Sequence, residues 1–80
     1  MALAKTEAEW AERASRFLKA ELKRANVTYD ELADRMAKHG FKDETKASLA
    51  NKLARGTHPT AWFLAALAAI GIESVALEDI

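Results

Sequence analysis

The chain has 80 residues, enough for one domain, and its 12 basic and 12 acidic side chains give a formal net charge of zero. Neutrality excludes a strongly cationic protein that wraps nucleic acid. Half of the residues are apolar, but 18 residues are alanine, so the core is small and a second subunit is an expected source of stability. The chain contains no cysteine, which excludes disulfides, thiolate metal sites and thiol nucleophiles.

The abundance of Ala, Leu, Glu, Lys and Arg predicts an all-α fold. The first predicted helix begins at Thr6, since Thr6 and Glu9 have the spacing of a capping box, and it follows a flexible segment at residues 1–5. Apolar residues then recur every three or four positions, which predicts one buried face. That face consists of Trp10, Ala14, Phe17, Leu18, Leu22 and Ala25. Asn26 suits the left-handed position that ends the helix.

The second predicted helix begins with another capping box, Thr28 to Glu31, and ends at Gly40. We expect Phe41, in the turn that follows, to fill the core. The third predicted helix runs from about Thr45 to Arg55. Its buried residues are Leu49, Ala50 and Leu53, and Gly56 ends it.

The fourth predicted helix follows Pro59, has Thr60 as its N-cap and ends at Ile70. It is apolar on every side, so more than one of its faces must be covered, and a second subunit is the expected cover. The residues predicted to form this dimer interface are Trp62, Phe63, Ala66 and Ile70. In the tail, residues 73–80, the alternation of apolar residues allows either a short strand or a last helical turn. Residues 1–80 therefore form one compact domain of four to five helices.

The segment Val27–Ile72 contains VTYDELADRM, then ASLANKLARGTHPT, then AWFLAALAAIGI. In this order the three pieces resemble helices two, three and four of lambda-repressor-like, Cro/CI-type helix-turn-helix domains. From Trp10 onward the chain is also similar to a family of small bacterial proteins of unknown function that is itself helix-turn-helix-like. The resemblance implies a DNA-binding protein associated with the nucleoid. The sequence shows neither a secretory signal nor a membrane-spanning run, which predicts a cytoplasmic location. The connection from Met36 to Leu49 is several residues longer than in a tight helix-turn-helix.

On the third helix, Ser48, Asn51 and Arg55 lie at spacings of three and four, opposite the buried leucines. Asn can pair with adenine and Arg with guanine in the major groove, although a merely solvated face has the same pattern. The predicted DNA-binding residues are Tyr29, Thr45, Lys46, Ser48, Asn51, Lys52 and Arg55. Further candidates for contact with the DNA backbone are Thr28, Lys42 and His58.

The distribution of charge favours this assignment. Residues 35–58 carry six basic and two acidic side chains, a balance of +4, and the rest of the chain carries −4. The sequence thus predicts a small homodimeric regulator of transcription that reads double-stranded DNA with its third helix. The alternatives are a protein-interaction module on the same fold, or a sequence-independent nucleoid protein. No enzyme motif, metal site, cofactor site, small-molecule substrate or membrane-spanning segment is expected.

Overall fold

The computed structural model describes residues 3–56 and 58–80. Four α-helices follow one another in the chain: α1 (Glu7–Ala25), α2 (Tyr29–Ala37), α3 (Lys46–Arg55) and α4 (Thr60–Ile70). A short 3₁₀ turn at Leu77–Asp79 comes last. The described residues contain no strand, so the all-α class is confirmed, and a turn of helix replaces the strand considered for the tail.

The first three helices begin where the sequence predicted, because a threonine caps each of them. The side-chain oxygen of each cap accepts a hydrogen bond from the backbone N–H three residues later. These caps are Thr6, Thr28 and Thr45. Among the described helices, the full capping box is found at α3 and not at α1 or α2, where it was predicted. In α3, Ser48 Oγ accepts a hydrogen bond from the Thr45 backbone N–H in return.

The predicted cap of α4 is wrong by one residue. Pro59 occupies the N-cap position with extended backbone, φ −66° and ψ 156°, and Thr60 is the first residue of the helix. The side chain of Pro59 has no polar atom, so this end of α4 has no side-chain cap. At the other end, Gly71 adopts φ +101°, and its N–H bonds back to the last turn.

The helices α1 and α2 each pack against both α3 and α4. The largest fully buried side chains come from all four helices. They are Leu18, Leu32, Met36, Leu49, Leu53 and Trp62. This arrangement covers most of the apolar helix α4 within one chain, although Leu64 remains 59% exposed.

Trp10 departs from the predicted core, because it is 37% exposed. It lies in the first turn and a half of α1, a helix of 19 residues, whereas the helices packed against α1 have 10 and 11 residues. Because α1 is longer than either of these helices, part of its length has no helix packed on it, and Trp10 is one of its residues that remain exposed. Residues 1 and 2 of the predicted N-terminal segment lie outside the described residues, and Ala4 within that segment is buried.

The connection between α2 and α3, residues 38–45, packs against the bundle through Phe41. Phe41 is half-buried against the core, as the sequence predicted, and its N–H donates to the Met36 carbonyl oxygen. On α2, Arg35 donates a hydrogen bond of 3.2 Å to the Ala69 carbonyl oxygen, in the last turn of α4. This bond satisfies a carbonyl that the end of a helix leaves without an intrahelical partner.

Candidate nucleic-acid interface

A polar cluster joins the start of α3 to α4. Its centre is the Glu44 carboxylate, whose side chain is only 8% exposed. This carboxylate accepts hydrogen bonds from Ser48 Oγ at 2.7 Å and from Lys52 Nζ at 2.5 Å. Lys52 Nζ also lies 5.5 Å from the centre of the Trp62 ring on α4, within the range of a cation–π interaction. The cluster therefore connects the loop, two turns of α3 and the buried face of α4.

Two opposing effects set the pKa of Glu44. Burial of the carboxyl group is the largest and raises the pKa, because it penalises the charged form. The hydrogen bonds from Lys52 and Ser48 and the positive charge of Lys52 together outweigh burial. The pKa of Glu44 is consequently below its usual value, and the pair is charged at neutral pH.

This cluster corrects the predicted roles of Ser48 and Lys52. Ser48 Oγ accepts from the Thr45 N–H and donates to the Glu44 carboxylate, so its hydroxyl group is used within the chain. The Lys52 ammonium group binds the same carboxylate, and its side chain points inward toward Trp62. Ser48 and Lys52 are therefore no longer candidates for contact with DNA. A sequence signal was present, since Glu44, Ser48 and Lys52 are spaced by four residues along one helical face.

The exposed side of α3 has small residues between its polar ones. We call it the outer face of α3, and it consists of Lys46, Ala47, Asn51, Ala54 and Arg55, all exposed. Among the residues that the structure describes, neither Lys46 nor Arg55 forms an ion pair. Three of the predicted contact residues, Lys46, Asn51 and Arg55, thus share one accessible surface.

The other predicted contact residues lie outside the outer face of α3. Thr45 and Thr28 are exposed, but each hydroxyl oxygen accepts a backbone hydrogen bond as an N-cap. Tyr29 is half-buried and packs against the core, which leaves less of it available to a partner. Lys42 is exposed in the loop before α3.

His58 turns toward the bundle instead of the surface predicted for a phosphate contact. Its Nε2 atom lies 3.1 Å from the hydroxyl oxygen of Ser15, a buried residue of α1 that the sequence did not single out. Its ring stacks on those of Trp62 and Phe63, with ring centres 5.4 Å apart in both cases. Burial lowers the pKa of His58, so the ring is neutral at pH 7 and carries no charge for a phosphate.

The predicted dimer interface also changes. Trp62 and Ala66 are fully buried within one chain, because α4 turns these residues toward the other three helices. Neither of them has surface to offer a second subunit, whereas Phe63 and Ile70 are half-buried. The exposed apolar side chains nearby are Leu64 and Leu77, the second being 62% exposed.

Leu64 and Leu77 border an apolar groove of about 420 Å³ between α4 and the tail. We call it the α4–tail groove. The apolar residues that line it are Phe63, Leu64, Leu67, Ala68, Ile72, Val75, Leu77 and Ile80. Sequence reasoning missed the contribution of the tail because its two possible conformations place these side chains differently.

The fold and this surface define a small four-helix domain that presents a short, locally basic helix beside a neutral apolar one. Residues 10–75 match the model of a family described as "Domain of unknown function (DUF6471)", and the chain belongs to this family. Neither a curated protein nor a solved structure matches the chain. The family description states no activity, so the lambda-repressor-like resemblance stays a prediction. Within residues 3–56 and 58–80, no helix combines the length and the apolar character needed to cross a membrane.

The Glu44 cluster generates a stability prediction. At pH 7, Glu44→Gln should lower the free energy of unfolding by about 1–3 kcal/mol, because Lys52 loses its charged partner in a partly buried site. Urea unfolding measures this quantity. The matched control is Glu12→Gln, which removes the exposed Glu12–Arg16 pair on α1 and should have little effect.

The same variant has a defined pH dependence. The pKa of Glu44 is lower in the folded state than its usual value of about 4.5. The stabilisation by ionised Glu44 is therefore complete above about pH 4.5 and is lost as the pH falls through the folded-state pKa. The stabilities of wild type and Glu44→Gln should therefore converge in acid. Equal stabilities at pH 7 would show that the cluster does not hold α3 in place.

Proposed function

We propose that this protein binds double-stranded DNA in a sequence-specific manner by placing the outer face of α3 in the major groove. It acts as a homodimeric, non-enzymatic regulator of transcription in the bacterial cytoplasm, where it associates with the nucleoid. The observation that carries the proposal is the outer face itself. Exposed Asn51 lies at its centre, Lys46 and Arg55 lie at its two ends, and alanines fill the positions between them.

The chemistry of this face suits the edges of base pairs. An α-helix fits the width of the major groove, and a central Asn can donate to and accept from one adenine. Ala47 and Ala54 let the helix axis come close to the bases, and an Ala methyl group can contact the methyl group of thymine. Lys46 and Arg55 are free to bind guanine or phosphate, since no carboxylate in the described residues pairs with them.

The charge balance around α3 persists in the folded protein. Lys52 and Glu44 neutralise each other, which removes one charge of each sign and leaves residues 35–58 at +4. Lys38 and Lys42 are exposed in the loop that precedes α3, on the chain segment nearest its N-terminal end. A local positive balance favours binding to phosphates, and zero net charge over the whole chain limits non-specific affinity.

The dimer is supported by the α4–tail groove. Its exposed rim residues, Leu64 and Leu77, stand next to a depression lined by Leu67, Ile72 and Val75, so one copy can offer both a projecting leucine and a site for it. A two-fold interface needs this kind of self-complementary surface. The dimer presents two α3 helices about one turn of DNA apart, which selects an inverted repeat.

A second candidate function rests on the same groove. In that case the domain binds a different protein through Leu64 and Leu77, and α3 never contacts DNA. A sequence-independent nucleoid protein is the third alternative. It would use Lys46 and Arg55 on phosphates without a role for Asn51.

Selection of bound duplexes from a random pool tests the proposal, followed by titrations of the selected site at two salt concentrations. Asn51→Ala should weaken binding to the selected site by about ten- to a hundredfold, the range for one bidentate base contact. Its affinity for random duplex should not change, because phosphate contacts remain. Thr60→Ala is the control and should bind like wild type, because Thr60 is exposed and lies outside both the outer face of α3 and the α4–tail groove.

Each alternative gives a different result in this experiment. Absence of binding to any duplex at low salt contradicts both DNA-binding functions and favours the protein-interaction module. Binding without an enriched motif, and without an effect of Asn51→Ala, favours the nucleoid protein.

The oligomeric state is a separate prediction. Sedimentation equilibrium should give a dimer at micromolar concentration for the wild type. Leu64→Glu should give a monomer, because it places a charge on the apolar rim of the α4–tail groove. The monomer should remain folded, because the Leu64 side chain is 59% exposed within one chain. Leu3→Glu, at a residue 49% exposed near the N-terminus, is the matched control and should remain dimeric. A wild-type monomer at this concentration contradicts the dimer.

A further inference from the structure

A second basic surface lies where α1 crosses the C-terminal end of α3. A groove of about 390 Å³ runs between the two helices, and we call it the α1–α3 groove. Its charged lining residues are Glu12, Arg16, Lys19 and Arg55. Arg55 also belongs to the outer face of α3, so the groove is continuous with the proposed DNA-binding surface.

Small residues form the walls of this groove. Ala8 and Ala11 line it from α1, and Ala54 and Gly56 line it from the end of α3. Gly56 has φ +65°, and a Cβ atom at this position would lie 3.3 Å from the Cβ atom of Ala11. The two helices therefore approach each other closely at Ala11 and Gly56, and cationic residues of both helices line the same groove.

The groove has an excess of positive charge. Three cationic side chains face one carboxylate, that of Glu12, which forms an ion pair with Arg16. Both partners of this pair are about 70% exposed, so the pair is weak and can be exchanged for a phosphate. Lys19 is exposed and forms no ion pair within the described residues.

We propose that the α1–α3 groove binds the phosphate backbone of the duplex whose major groove receives α3. Arg16 and Lys19 of α1 are the contact residues, together with Arg55. The inference rests on the proposed function and assigns α1 a direct role in DNA binding. The physical reason is that a phosphate strand borders each side of the major groove, so a basic groove at the end of an inserted helix meets a backbone and not the base pairs.

The experiment compares two double variants that each remove one Arg and one Lys from the full chain. The groove variant is Arg16→Gln with Lys19→Gln, and the control is Arg24→Gln with Lys5→Gln, which lie outside the groove. Arg24 pairs with a glutamate on α1, as Arg16 does, so the two arginines are matched. Circular dichroism checks that both variants keep the helical content of the wild type.

The quantity measured is the slope of log Kd against log salt concentration for the selected duplex. The groove variant should reduce the magnitude of this slope by about 1 to 2, since each lost phosphate contact contributes about 0.9. It should enrich the same DNA motif as the wild type, because no base contact is lost. The control should keep the slope of the wild type.

Three outcomes overturn the inference. A groove variant that binds DNA with the wild-type slope contradicts the groove and leaves the proposed function standing. Equal reductions in both double variants point to overall charge and not to this groove. A wild type that binds no duplex at low salt removes the proposed function and the inference together.

Discussion

The interaction between Glu44 and Lys52 determines which side of α3 is available to a partner. The carboxylate belongs to the loop residue just before the helix cap, and the ammonium group lies two turns into the helix, above the Trp62 ring. Loop, helix and core are thus held by one pair of opposite charges. The Glu44 carboxylate occupies the polar groups of both Ser48 and Lys52. The exposed cations of α3 are then Lys46 and Arg55, at its two ends.

Most helix boundaries could be predicted because the signals that set them are local. The exceptions are the end of α2, which lies at Ala37 and not at Gly40, and the start of α4, where Pro59 and not Thr60 is the N-cap. A threonine cap and the backbone three residues later suffice to start a helix, and a glycine with positive φ suffices to end α3 and α4. The direction of Lys52 or Trp62 could not be predicted in this way. Each depends on which helix packs beside it, and the periodicity of one helix does not contain that information. Three of the seven predicted DNA-contact residues, Lys46, Asn51 and Arg55, therefore lie on the outer face, whereas Ser48 and Lys52 face the polar cluster.

The high alanine content has two structural consequences beyond a small core. On α3, exposed Ala47 and Ala54 leave a smooth surface around Asn51. Between α1 and α3, Ala11 faces Gly56 at a close crossing and brings the cations of both helices to one groove. The zero net charge likewise combines a positive region around α3 with a negative remainder. In the proposed function, short side chains set how closely α3 approaches DNA, and the local charge sets its orientation.

The most direct test of the account is a titration of the ¹⁵N-labelled protein with its selected duplex, followed by amide chemical-shift mapping. If the outer face of α3 contacts DNA, the largest saturable shifts should fall on Lys46, Ala47, Asn51 and Arg55, with smaller ones along the α1–α3 groove. Shifts concentrated on Leu64 and the α4–tail groove, or no saturable shift at low salt, would contradict this contact.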